Sequence, residues 1–198
     1  GDGNDQFLAQ DAGMDPYAGL GVKAIGVTPS FTKCTTTQQS QIVTALNAAD
    51  SYAGNAKSYF GAHSATNVSA RYSTWFGAVN ATRYTTGKNH FDAIQAAFAT
   101  KPITVDCGCK KTYYAYVYPT QPYKIYVCKA FWSAPVTGTD SRAGTLIHEM
   151  SHFNVVAGTD DHVYGQSGAK SLAISNPDNA LDNADNHEYF SENTPAQN

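Results

Sequence analysis

"HEMSHFNVVAGTDDHVYG", residues 148–165, decides how the rest of the chain is read. His148 and His152 are four positions apart. On an α-helix that spacing sets them about 40° apart around the axis and one turn above each other, so both imidazoles reach one ion. Glu149 then lies on the adjacent flank, where its carboxylate is placed to take a proton from a water rather than to bind the ion. A Zn²⁺ held by two His needs a third protein ligand and one open position. Two carboxylates downstream qualify. Asp161 lies nine positions past His152, beyond Gly158, which can turn the chain back. Glu188, in "NADNHEYFSE" (183–192), would reach the ion from a later helix. A different arrangement, with Gly three and His six residues past the second His, is excluded by Val155 and Gly158. From the residues alone, Asp161 and Glu188 both stay open, with His162 beside the first.

Moving outward, "TGTDSRAG" (137–144) supplies capping residues, and "TLIHEMSHFNVV" (145–156) reads as a helix closed by Gly158. Upstream, a Thr-rich start at residue 35 precedes Ile42, Val43, Leu46, Ala49 and Ala53 at helical spacing. A further helix fits "GKNHFDAIQAAFAT" (87–100), with Phe91, Ile94 and Phe98 on one face and Pro102 past its end. Between them the period changes. "TYYAYVYP" (112–119) and "YKIYVCKAFW" (123–132), separated by "TQP", predict two strands joined by a turn, hence a small antiparallel sheet. Its Tyr residues are read as a packed or amphipathic sheet face. The expected class is α+β, predominantly helical. Residues 1–33 are rich in Gly and Asp, with Pro16 and Pro29 as breakers, and read as an N-terminal extension; residues 34–198 read as one domain.

Composition narrows the function classes. The 198 residues carry a net charge of -3 and no basic block that would track a phosphate backbone, so nucleic acid is a poor partner. No apolar run approaches the roughly 20 residues needed to span a bilayer, and no signal peptide opens the chain, so a processed, soluble, monomeric form is expected. Cys34, Cys107, Cys109 and Cys128 are even in number within a sequence rich in Tyr, Ser, Thr and Asn, which suits an oxidised, extracellular protein. A bridge from Cys107 to Cys109 would close a strained ring, so each is expected to pair with Cys34 or Cys128, in either of two ways. Asn67-Val-Ser69 and Asn80-Ala-Thr82 fit a glycosylation pattern that decides nothing without the host.

"HEMSH" followed by "GTDDHVYG" resembles the aspzincin signature, HExxH then GTxDxxYG, of the deuterolysin and peptidyl-Lys metalloendopeptidase family, and every fixed position is present. "ARYSTWFG", "AYVYP", "AFWSAPVTGTDSRAGTLIHE" and "NADNHEYFSENTPAQ" look like its peptidyl-Lys branch, so the likeness covers most of residues 34–198. The resemblance implies a zincin-like fold, one catalytic Zn²⁺ on His148, His152 and Asp161, Glu149 as general acid/base, and Tyr164 as donor to the oxyanion. Glu188 is then released from metal binding, and His162 is read as exposed or behind the ligands.

Asp185 and Glu188 are three apart and would share a helix face. Spacing alone favours a capping box. The resemblance instead implies that "NADNHEYF" forms an acidic S1′ pocket, with lysine preferred at P1′. Protein or peptide substrates follow, and so does the enzyme's own propeptide, with residues 1–33 as its remnant or as a docked extension of the mature protein, since a protease cutting before lysine could cut before Lys23 or Lys33. The competing expectations are a broader, deuterolysin-like specificity, and an exported toxin or binding protein with a non-catalytic metal.

Overall fold

The computed structural model describes residues 25–198. Its longest helix, α1 (Thr36–Ala62), starts at the Thr-rich segment because Thr35 and Gln38 form a reciprocal capping box. Its buried face carries Ile42, Ala45, Leu46, Ala49, Ala53 and Phe60. After α2 (Ala70–Phe76) comes α3 (Ala81–Thr100), which begins earlier than the spacing of its apolar residues predicts. Asn80 caps it by accepting from the Arg83 N–H. Gly87, taken from sequence as the start, lies inside the helix, where a Cβ would stand 3.1 Å from the Phe60 ring. It brings α1 and α3 together. Phe60, Phe76, Phe91 and Phe190 form the aromatic centre of the core, their ring centroids 5.1–6.2 Å apart.

The sheet corrects one expectation. Its strands are β1 (Ser30–Thr32), β2 (Thr104–Asp106), β3 (Ala115–Tyr116) and β4 (Lys124–Val127), in the order β1-β2-β4-β3. Only β3 and β4, the two strands read from sequence, pair antiparallel; β1–β2 and β2–β4 are parallel, so the sheet is mixed. The reason is local. Strands of three residues carry too little alternation to be seen; β1 and β2 are joined through α1, α2 and α3, and β2 and β4 through β3, so neither parallel pairing leaves a hairpin turn in the sequence. β1 lies within the stretch read as an extension, and Lys33 follows it directly. The reading of Lys23 falls outside the described residues.

Two disulfides close one end of this sheet. Cys34–Cys107 joins the segments after β1 and β2, and Cys109–Cys128 ties the next loop to the end of β4, which selects one of the two pairings expected. The remaining helices are α4 (Lys129–Ser133), α5 (Arg142–His152), α6 (Gly165–Ser175), α7 (Pro177–Leu181) and α8 (Ala184–Glu192). Among the described residues, no helix is long and apolar enough to cross a membrane.

α5 and α8 hold the site. Every residue of both helices is buried, including the polar ones. Glu192, at the end of α8, accepts from the Asp140 and Ser141 backbone N–H groups and from the Ser141 hydroxyl, at 2.8–3.0 Å. Burial pushes its carboxyl up to about 8, against the pull of the Ser141 donors. Gly144 leaves room for that carboxylate: a Cβ there would lie 2.0 Å from Glu192 Oε2 and 2.9 Å from Glu188 Cγ. Gly144→Ala is therefore expected to destabilise the protein by about 1–3 kcal/mol through overpacking. Gly54→Ala, in the interior of α1 with nothing within 4 Å of the new methyl, should stabilise by about 0.5–1 kcal/mol through helix propensity. Denaturant unfolding of the two variants checks the opposite signs.

Candidate metal centre

His148 and His152 occupy the last turns of α5, with both rings buried. The helix stops at Phe153, earlier than the expected end, and the chain turns through Gly158 with φ +59°. A short polar clamp sets the return. The Ser151 hydroxyl donates to the His148 carbonyl at 2.6 Å and lies 2.6 Å from the Thr159 hydroxyl, while the Thr159 N–H donates to the Ser151 carbonyl. Asp160 then pairs with the segment before α8 through its N–H to the Asp182 carbonyl. Asp161 is thereby delivered to the histidines.

Three donor atoms converge. His148 Nε2 and His152 Nε2 are 3.2 Å apart, and Asp161 Oδ1 lies 3.0 Å from the first and 3.2 Å from the second. Tetrahedral zinc with bonds of about 2.0–2.1 Å needs ligand atoms about 3.3–3.4 Å apart, so this triangle is close to one face of that polyhedron. The opposite ring nitrogens fix the tautomers. His148 Nδ1 faces Asp185 Oδ1 at 2.6 Å, and His152 Nδ1 faces the Thr159 carbonyl at 2.7 Å. Both acceptors hold the ring proton on Nδ1 and leave the Nε2 lone pairs aimed at the common point. Such a donor set fits a divalent cation.

Other candidates fall on either side of this point. Glu149 is buried, with Oε2 3.8 Å from His148 Nε2, and lines a cleft of about 190 Å³ together with Tyr116, Pro119, His152, Thr159 and Asp161. Glu188 lies on the other side of the His148 ring, 3.7 Å from Nδ1, away from the converging donors. His162 turns outward to Asp182, at 2.8 Å. Tyr164 is the residue before α6, with its side chain 46% exposed. Asp185 is no helix cap: α8 begins after Asn183, and the Asp185 oxygens go to His148 and to the Gly165 N–H at 2.8 Å. Burial raises its carboxyl, and contacts with His148 and Gly165 overcome this to bring it to about 2.

A model of the family described as lysine-specific metallo-endopeptidase, the aspzincin peptidases, matches residues 61–192. The chain belongs to the aspzincin family of zinc metalloendopeptidases. An extracellular protease of Aeromonas hydrophila is 53% identical over 98% of this chain and 54% of its own length. A peptidyl-Lys metalloendopeptidase of Pleurotus ostreatus is 51% identical over 84% of this chain and 98% of its own. The solved structure of a zinc peptidase from Grifola frondosa superposes with a TM-score of 0.79 at 46% identity, covering 83% of this chain and all of that one. The chain thus spans about half the length of the Aeromonas relative and nearly the whole of the Pleurotus one.

The sequence reading missed Ser151, Thr159 and the Gly165 N–H as parts of this site. The family's fixed positions Thr159 and Gly165 hinted at the last two and nothing hinted at Ser151, because hydrogen bonds through backbone atoms leave no trace in residue type. The Asp185–His148 contact carries a direct test. Asp185→Asn keeps the shape but removes the charge that holds the proton on Nδ1. Zinc affinity, read by competition with a chromophoric chelator, should fall about 10–100-fold; unchanged affinity would show that Asp185 does not orient the ligand.

Proposed function

We propose that this chain is a secreted zinc endopeptidase that cuts polypeptides before lysine. The observation that carries this is the His148–His152–Asp161 triangle opening onto a cleft with Glu149 in its wall. Zn²⁺ held by those three residues supplies Lewis acidity, polarising the peptide carbonyl and acidifying water. The remaining steps belong to the chain. Glu149 removes a proton from the attacking water and returns it to the departing amine. The Tyr164 hydroxyl donates to the oxygen on which charge develops.

Substrate backbone is held by the sheet. β3 is its edge strand, and among the described residues no strand pairs with its outer side. The Cys128 N–H donates to the Tyr114 carbonyl at 2.8 Å. In an antiparallel ladder this turns the peptide groups of Tyr114 and Tyr116 towards β4, and those of Ala115 and Val117 towards the cleft. An extended substrate adds there as a further strand.

Lysine selection falls to α8. The carboxylates of Asp185 and Glu188 are buried behind His148. The two carboxylates face the substrate ammonium together, three residues apart on one helix face. An apolar P1′ side chain would face these charges without answering them, which is discrimination by rejection. The enzyme acts as a monomer, and its own precursor is among its substrates.

Two variants separate chemistry from specificity. Glu149→Gln should retain zinc but lose about 10²–10⁴ in kcat, and chelation of the wild type should abolish cleavage until zinc is restored. If the variant cleaves a quenched peptide at the wild-type rate, the base is elsewhere. Glu188→Gln should lower kcat/KM for peptides with Lys at P1′ by about 10–100-fold, the worth of a hydrogen bond to a charged group, while peptides with acetyl-Lys there change little. Equal wild-type rates for Lys, acetyl-Lys, Arg and Leu at P1′ would remove the acidic pocket and leave a broad-specificity enzyme.

A further inference from the structure

The outer face of the sheet carries a cluster of tyrosines next to the cleft. Tyr116 on β3 and Tyr126 on β4 are register partners whose rings stack 4.5 Å apart and 3° from parallel. Tyr118 stands edge-on to both, at 5.8 and 5.7 Å, and is 49% exposed. Alternation along the strands sends Ala115, Ile125 and Val127 into the core and leaves the tyrosines on the face opposite the helices. Packing does not require this: the cluster sits on the core's far side. Tyr116, Val117 and Pro119 also line the cleft that holds Glu149 and Asp161, so the tyrosine face and the cleft are continuous.

We propose that Tyr116, Tyr118 and Tyr126 form a second specificity subsite, which receives an aromatic or large aliphatic side chain from the unprimed half of the substrate. The inference rests on the peptidase reading and on strand addition to β3. Two features of the fold assign the half and the parity. Asp185 and Glu188, the lysine-binding groups, contact His148, one turn before the end of α5. Pro119 is instead tied beyond that end, its carbonyl accepting from the Asn154 N–H at 3.0 Å. Primed residues therefore run towards Ala115 and unprimed residues towards Tyr118, which makes the substrate antiparallel to β3. Neighbouring side chains in an extended strand point to opposite faces. With P1′ directed inward to α8, P1 and P3 point outward onto the tyrosines and P2 points inward.

The test uses peptides with Lys fixed at P1′ and Phe, Leu, Ala or Ser placed in turn at P1, P2 and P3. Wild-type kcat/KM should favour Phe over Ser roughly three- to tenfold at P1 or P3, in keeping with one aromatic contact, and show no such ratio at P2. Tyr118→Ser should flatten the ratio and Tyr118→Phe, which keeps the ring, should retain it. Because each ratio is internal to one protein, a lower folded fraction in a variant does not affect it. Flat unprimed preferences with lysine selection intact, a preference confined to P2, or a ratio that survives Tyr118→Ser would each overturn the subsite. Loss of lysine selection with the P1 or P3 ratio intact would count against the acidic pocket alone.

Discussion

Two imidazole nitrogens and a carboxylate oxygen within 3.0–3.2 Å of one another repel unless a cation lies among them. The fold is organised around holding them there. Both histidines come from a helix with no exposed residue, so their backbones cannot relax away from each other. Each ring is pinned from behind by an acceptor, so it cannot rotate its lone pair elsewhere. Asp161 has the least rigid origin, a loop, and it is the donor with the most local hydrogen bonding around it, through Ser151, Thr159 and the pairing of Asp160 with the segment before α8. Apolar packing and polar pinning thus store the geometry in advance of the ion.

α8 is the counterpart of α5. Asp185, Glu188 and Glu192 recur at three- and four-residue spacing on one face, and each meets a different part of the facing helix: the ring of His148, the space beside it, and the backbone donors of Asp140 and Ser141 at its start. Glu192 accepts from the Asp140 and Ser141 N–H groups that lead into α5, so donors at the helix start are answered from α8. The other face is no less committed. Asn186 donates to the carbonyls of Trp75 and Ala169, and His187 donates to the Asn183 carbonyl and accepts from His90. With its Nδ1 proton fixed that way, and with burial holding the ring well below the usual imidazole range, His187 stays neutral inside the aromatic core. Asp185, Glu192 and His187 are tolerable at this depth because each is hydrogen-bonded to a named partner.

How much of this was legible follows from the range of the interactions. The i, i+4 histidines, the capping Thr35 and the hairpin of β3 and β4 are local, and local patterns survive in the sequence. The parallel strands β1 and β2 were invisible because they are three residues long and meet partners more than seventy and about twenty positions away. Residue type could not choose between Asp161 and Glu188, since both are carboxylates within reach of a folded chain; only the family's fixed spacing chose, and in the fold Asp161 lies on the Nε2 side of His148 and Glu188 on the Nδ1 side. Asp185 shows the other failure. Its spacing from Glu188 fits a capping box, but Asn183 holds the cap position and His148 takes the carboxylate, so a tertiary partner displaced the local one.

Placing the third donor on a loop nine residues beyond His152 has a consequence for what α8 can do. Had Glu188 been drawn to the ion, the helix would have been fixed by that bond and its acidic face spent on it. With Asp161 in that place, one turn of α8 is left to divide two tasks. Asp185 faces His148 Nδ1 and would hold its tautomer, and Glu188, one turn on, lies 3.7 Å from the same nitrogen as part of the proposed lysine pocket. The two tasks are then electrostatically coupled, because a cationic side chain entering near Glu188 also approaches the Asp185–His148 pair. If the proposed assignments hold, Glu188 and Asp185 cannot be altered independently, because a charge change at one is felt at the other.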